Sequence, residues 1–101
     1  TPELAVLVEV GVQYSSDLAE VERVTVEVAR DVLATVPGGV PGFEPLVRCH
    51  TFGDVGVRFT VVLRGRGVLD QYLLKHEFIK RLHARYRQAG IPFAVHPMTH
   101  G

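Results

Sequence analysis

The chain has 101 residues, of which 47% are apolar and 22% are charged, and its eleven basic residues balance its eleven acidic ones. This composition fits one folded domain, disfavours disorder, and lacks the cationic excess of a general nucleic-acid binder. Its longest apolar runs, such as residues 4–8, are far too short to span a membrane, and no signal peptide is recognisable. The single cysteine, Cys49, excludes an internal disulfide and suits a reducing, intracellular compartment.

The first two elements are a strand and a long helix. Residues 4–13 alternate between apolar and other side chains, which predicts a strand with one buried face. Asp17 is the predicted N-cap of a helix over residues 17–36, and its spacing to Glu20 is that of a capping box. Many apolar residues of this helix are β-branched and locally favour strand, but their three- and four-residue spacing decides for helix. They are Leu18, Val21, Thr25, Val28, Ala29, Val32 and Val36.

A hairpin, a second helix and a last strand follow. Residues 46–52 and 57–64 are the predicted arms of the hairpin, with Phe59 on the buried face of the second arm. The second helix is predicted from Asp70, its N-cap, to residue 88 or 89, with Gly90 as a left-handed terminator. Residues 91–95 alternate and predict a final strand. The apolar face of the second helix is assigned to Leu74, Phe78, Ile79, Leu82 and Tyr86.

The element order β-α-β-β-α-β predicts the fold. Two amphipathic helices and four one-faced strands pack most simply as a two-layer sandwich, with both helices on one face of an antiparallel sheet. The sequence therefore predicts an α+β, ferredoxin-like fold in a single domain over residues 1–101.

The residue types that carry chemistry do not converge in this sequence. Neighbours Cys49 and His50 point to opposite faces of a strand, and no C-x-x-C is present, so no metal site is predicted. Ser15, Ser16 and Asp17 fit a helix cap better than a nucleophile. No acid–base pair or activated nucleophile is visible, so we expect no enzyme and no cofactor. The other histidines are widely spaced: His76 and His83 in the second helix, His96 and His100 near the end.

Two further binding interpretations are weak. Residues 64–67 (RGRG) could hold an anion, but they lack the spacing of phosphate-binding loops and fit an exposed connection better. RNA-binding modules of this fold stack bases on aromatic side chains of the central strands, whereas Phe59 is predicted to be buried. No nucleic-acid partner is expected.

The charges are divided between the helices. Residues 17–36 hold five acidic and two basic side chains, and residues 70–90 hold five basic and two acidic ones. The helices either attract one another within the chain or meet across a subunit boundary, where charge sets orientation. The sequence leaves both interpretations open.

Three segments resemble the cytoplasmic C-terminal domain of MscS-type mechanosensitive channels. They cover a strand leading through a polar turn into a helix, a hairpin with a Gly-Asp turn, and a helix end followed by Ile-Pro-Phe. After Phe93 the sequence departs from the family, which commonly continues with more proline and a glutamine. The segments are residues 8–18 (VEVGVQYSSDL), 45–57 (PLVRCHTFGDVGV) and 89–93 (AGIPF).

The resemblance implies a non-enzymatic role in a homo-heptameric channel that releases solutes under hypo-osmotic shock. This domain would form the cytoplasmic vestibule wall, and membrane helices would precede Thr1, so the chain is expected to be a fragment of a longer protein of the inner or plasma membrane. The isolated fragment is expected to be a monomer or a weak small oligomer. The candidate subunit interface comprises Ile91, Phe93, Val95 and Met98.

The alternative is a free-standing ferredoxin-like regulatory domain that binds a small metabolite at a dimer interface. Residues 65–70 would be its ligand loop. This alternative predicts a discrete dimer and heat stabilisation by the ligand.

Overall fold

The computed structural model describes residues 3–94. Its three strands form one antiparallel sheet in the order β1-β3-β2, and both helices pack against the same face of it. The predicted α+β, ferredoxin-like architecture is confirmed. The elements are β1 (Leu4–Gln13), α1 (Leu18–Thr35), β2 (Leu46–Phe52), β3 (Gly56–Gly65) and α2 (Asp70–Ala89).

The β1–β3 pair is the centre of the domain. The two ten-residue strands pair along their whole length, from Leu4 opposite Gly65 to Gln13 opposite Gly56. Alternate valines of β1 face the helices, and Phe59 of β3 is completely buried beneath them, as its strand pattern predicts. The period-two pattern therefore fixes which face of the sheet meets the core.

Helix α1 forms despite its β-branched residues, because burial of its apolar face outweighs their weak helix propensity. Val24 and Leu33 extend the predicted stripe, whereas Leu18 is 36% exposed. Thr25 is fully buried, and its hydroxyl lies 2.5 Å from the hydroxyl of Tyr86 on α2. This hydrogen bond satisfies two polar groups inside the core.

The buried hydroxyl of Tyr86 makes stability sensitive to alkaline pH. Burial raises the pKa of Tyr86 to about 12, although the hydrogen bond with Thr25 acts in the opposite direction. The unfolded tyrosine loses its proton first, near pH 10, so the stability that Tyr86 contributes is present below pH 10 and is lost as the pH rises towards 12.

Chemical unfolding between pH 9 and pH 11, at about half-unit steps, measures this loss. We expect the free energy of unfolding to fall less steeply in Tyr86→Phe than in the unsubstituted chain. Tyr72→Phe is the control, because Tyr72 is 66% exposed. Identical slopes for all three proteins would contradict the assignment.

In the described part of the predicted fourth strand, residues 91–94, the pairing with β1 is limited. Within residues 3–94, the segment after α2 makes one antiparallel bridge, between Phe93 and Val12 at the outer edge of β1. Pro92 has no N–H to donate, although its carbonyl accepts from the amide of Gln13 at 3.2 Å. The amide of Ala94 donates to the carbonyl of Gly11 at 2.9 Å. The segment thus takes the place of the fourth ferredoxin-like strand, and Val95 lies outside the described residues.

Two predictions for α2 are wrong. Asp70 is the first helical residue and not the cap: the cap position is Leu69, which makes no capping hydrogen bond through its side chain. The carboxyl group of Asp70 instead lies beside Gly38 in the loop after α1. The second wrong prediction is Ile79, which is 56% exposed and lies outside the buried face of α2. That face follows a four-residue spacing and consists of Leu74, Phe78, Leu82 and Tyr86.

Candidate interaction surfaces

The residues considered for metal binding are dispersed. Within residues 3–94 the structure contains no group of three His, Cys, Asp or Glu side chains that could hold a metal ion. Cys49 is exposed, and His50 is the extra residue of a β-bulge between Cys49 and Thr51. His83 stacks on Phe93, with ring centroids 6.1 Å apart. His96 and His100 lie outside the described residues.

The turn before α1 is a helix cap. One carboxylate oxygen of Asp17 accepts hydrogen bonds from the amides of Ala19 at 3.0 Å and Glu20 at 3.3 Å. Glu20 does not complete the predicted capping box, because its carboxylate forms an ion pair with Arg23. The amide of Ser16 donates to the carbonyl of Gln13 and closes the turn. These contacts give the segment a structural role at the start of the helix.

The connection between β3 and α2 uses its polar groups within the chain. The amide of Arg66 donates to the carbonyl of Gly38 at 2.8 Å, and that of Asp70 donates to the carbonyl of Gly67 at 3.2 Å. The guanidinium of Arg64 lies 4.7 Å from the ring centre of Phe43. The amide of Arg66, one of those that would have to face an anion, is therefore already engaged.

A polar cluster on the sheet face opposite the helices links all three strands. Glu9 on β1 accepts a hydrogen bond from Thr60 on β3, and its other oxygen lies 3.0 Å from Nε2 of His50 on β2. The bond from Thr60 is the main cause that lowers the pKa of the Glu9 carboxyl, and His50 lowers it further. Since the Glu9 side chain is 63% exposed, this cluster joins strands in solvent and is not an enclosed catalytic centre. The sequence does not reveal this cluster, because only strand register brings these residues together.

The oppositely charged helices meet within the chain. Arg81 on α2 lies 2.7 Å from the carboxylate of Asp31 on α1 and donates to the hydroxyl of Thr35 at 2.6 Å. One turn further along α2, Arg85 lies 3.1 Å from the carboxylate of Glu27. Of the two interpretations of the helix charges, these contacts favour attraction between neighbouring helices of one chain.

We expect the Arg81–Asp31 pair to contribute modestly and to weaken with salt. A double-mutant cycle with Arg81→Ala and Asp31→Ala should give a coupling free energy of about 0.3–1 kcal/mol at low ionic strength, because the pair is partly exposed. In about 1 M salt the coupling should fall towards zero. Chemical unfolding measures both values, and a coupling that does not respond to salt would contradict this prediction.

The candidate interface residues of the last segment are split by the described range. Ile91 and Phe93 are partly buried against the core of their own chain. The ring of Phe93 stacks on that of Tyr86, with centroids 4.9 Å apart. Val95 and Met98 lie outside the described residues, so a role of these four residues in a subunit interface stays a prediction.

Two exposed apolar clusters were not identified from the sequence. The first, named here the α2 patch, lies where the chain enters α2; the second, the hairpin patch, lies where β1 and β2 end. The first cluster could have been predicted from the sequence, because the start of α2 holds more apolar residues than its buried stripe uses. The α2 patch comprises Val68, Leu69, Tyr72 and Leu73, and the hairpin patch comprises Tyr14 and Phe52.

The fold and these surfaces together define a ferredoxin-like α+β domain with exposed apolar clusters. Within residues 3–94, neither helix is long and apolar enough to cross a membrane. Neither a protein-family model nor a curated protein sequence matches the chain. Solved structures do match its fold.

The matching structures are mechanosensitive channels. The closed-state crystal structure of MscS from Helicobacter pylori superposes with a TM-score of 0.67 at 19% identity, covering 100% of this chain and 39% of that one. The cryo-EM structure of MSL1 from Arabidopsis thaliana gives 0.69 at 11% identity, covering 95% of this chain and 35% of that one. A single-residue variant of MSL1 superposes with a TM-score of 0.70, also at 11% identity. The resemblance to MscS-type channels is therefore confirmed in the fold, and the chain spans less than two fifths of those channel chains.

Proposed function

We propose that this chain is the cytoplasmic vestibule domain of an MscS-type mechanosensitive channel subunit, which releases solutes under hypo-osmotic shock. The observation that carries the proposal is the fold match to MscS and MSL1 across 95–100% of the chain. In this proposal the domain has no catalytic role, and it assembles with identical copies, as a heptamer, beneath membrane helices encoded upstream.

The three segments that resemble the family support the proposal, because each has a structural task. Residues 8–18 form a strand, a turn and a capped helix start. Residues 45–57 form the hairpin, whose turn is closed by a 2.8 Å hydrogen bond from the amide of Gly53 to the carbonyl of Gly56. Residues 89–93 lead from α2, through left-handed Gly90, to the outer edge of β1. A repeating, rigid unit of this kind suits a vestibule wall.

The encoded sequence before residue 1 gives the first test. We expect apolar segments of about 20 residues there, each long enough to span the membrane. A reading frame without such segments would overturn the channel assignment.

The full gene product gives the second test, in a bacterial strain that lacks its own mechanosensitive channels. We expect it to restore survival of a sudden drop in osmolarity and to give tension-activated currents in membrane patches. The control is the same strain with an empty vector. Currents that do not respond to tension would contradict the proposal.

The metabolite-binding alternative gains no support from the geometry of its loop. Residues 65–70 lie at the end of the sheet where β3 meets α2, and two of their amides are engaged within the chain. The open groove of about 700 Å³ lies at the opposite end, beside Phe52, Asp54 and Arg58. A thermal shift with an amino acid or a nucleotide would revive this alternative.

A further inference from the structure

We propose that the α2 patch of one copy binds the hairpin patch of the next copy. This inference rests on the proposed function, because it names the surfaces through which identical vestibule domains contact one another. The partner is therefore a second copy of this chain, and the two patches are complementary halves of one interface.

The α2 patch is an unusual surface for a domain that remains alone. Its four apolar side chains lie within six consecutive residues, in the connection to α2 and the first turn of that helix, and their exposed fractions run from 43% to 80%. Single exposed apolar residues are common, but clusters of them mark interaction sites. Leu69, at 80%, is the most exposed member, and Tyr72 adds an aromatic ring of the kind enriched at interfaces.

The hairpin patch is an exposed and preformed aromatic surface. Phe52 is 85% exposed, and its ring stacks on that of Tyr14 with centroids 6.5 Å apart and an interplanar angle of 18°. The hydroxyl of Tyr14 donates to the backbone carbonyl of Gly53, which holds its ring in place. Because this hydrogen bond already holds the Tyr14 ring, less side-chain entropy would be lost when that ring binds a partner.

The two patches lie at opposite ends of the sheet. The α2 patch follows Gly65, which pairs with Leu4, whereas the hairpin patch lies next to Gly56, which pairs with Gln13. Ten residues of strand separate these ends by about 30 Å. A contact between unlike patches is heterologous, so it repeats from copy to copy and gives a ring if the rotation closes. A contact between two like patches would stop at a dimer.

The charges beside the two patches differ. Arg66 is exposed and lies two residues before the α2 patch, and Lys75 lies one turn after Tyr72. Asp54 is exposed at the hairpin tip, two residues after Phe52. Arg58 lies beside Phe52 and Asp54, so the border of the hairpin patch carries both signs. Repulsion between two basic borders disfavours contact between two α2 patches, whereas Asp54 can pair with Arg66 or Lys75 in a contact between unlike patches.

Cysteine crosslinking tests which patches meet. In a Cys49→Ser background, one chain carries Gln71→Cys beside Tyr72 and a second, distinguishable chain carries Val55→Cys at the hairpin tip, since both positions are partly exposed and belong to neither patch. After mixing at high protein concentration and mild oxidation, we expect the mixed dimer to exceed either like dimer by about fivefold or more. A single chain carrying both cysteines should give a ladder of larger oligomers.

Two further substitutions serve as a matched pair. Adding Phe52→Ser to the Val55→Cys chain should lower the mixed dimer several-fold. Adding Leu7→Ser to the Gln71→Cys chain should leave it unchanged, because Leu7 is exposed on the sheet face opposite the helices and belongs to neither patch. Like dimers as abundant as mixed ones, or a yield insensitive to Phe52→Ser, would overturn the inference.

The failure of this inference is distinguishable from failure of the proposed function. If the gene product conducts under tension but the mixed crosslink does not form, the channel assignment stands and the interface lies elsewhere. If no membrane segments precede residue 1, the proposed function fails whatever the crosslinks show.

Discussion

Replacing Gly56 by alanine should destabilise the chain by about 3 kcal/mol or more. A Cβ at this position would lie 2.0 Å from the carbonyl oxygen of Val12 and 2.7 Å from the Cβ of Ala94. The first of these atoms is backbone of the paired strand, which cannot move without breaking the β1–β3 register. The substitution should therefore also displace the segment at the outer edge of β1. Chemical unfolding measures the loss of stability.

Gly42→Ala is the matched control for Gly56→Ala. A Cβ at Gly42 would have no atom within 4 Å, so the free energy of unfolding should change by less than about 0.5 kcal/mol. Equal stabilities of the two variants would contradict the close approach of the Val12 carbonyl to Gly56. Amide exchange of Gln13 and Ala94, whose N–H groups join β1 and the last segment, would report the predicted loosening of the strand edge directly.

Replacing Phe78 by alanine should cost about 3–5 kcal/mol, because it removes a completely buried ring and leaves a cavity between α2 and the rest of the core. Phe78 lies in the buried stripe of α2, between Leu74 and Leu82. The loss should appear as a lower midpoint in chemical unfolding. Phe93 packs on α2, and the α2 patch lies at the start of that helix. The packing of Phe93 and the position of the α2 patch should therefore both be disturbed.

Ile79→Ala is the neighbouring control on the same turn of the helix. Ile79 is 56% exposed, so its truncation should cost less than about 1 kcal/mol. If the two alanine variants lost similar stability, the orientation of α2 described above would be wrong. The comparison thus tests the helix rotation that the sequence did not predict.

The overall fold could be predicted because its signals are local and repeated. The alternating valines of β1 identify one buried face without any knowledge of the partner strand. In α1 the period prevails over residue propensity, because a helix in a folded domain is stabilised mainly by burial of its apolar face. Asp17 and Gly90 act on backbone groups within a few residues of themselves, so their places at the helix ends can also be read from the sequence.

The features that the sequence did not predict depend on contacts between residues distant in the chain. Asp70 was predicted to cap α2, but its carboxyl lies beside Gly38, more than thirty positions earlier. The link between Glu9 and His50 depends on the strand order and on a β-bulge. Within residues 3–94 the last segment makes a single bridge to β1, and Pro92, which has no N–H, cannot add a hydrogen bond to it.

By itself, the sequence determined the element order, the buried faces of the strands and the resemblance to MscS-type channels, because each follows from short-range periodicity or from residues close together in the chain. Only the tertiary structure decided that Arg81 and Arg85 pair with acidic side chains of their own chain, and that Tyr14 and Phe52 form one exposed aromatic surface. Such contacts join residues far apart in sequence, and their geometry is set by strand register and by the rotation of each helix on the sheet.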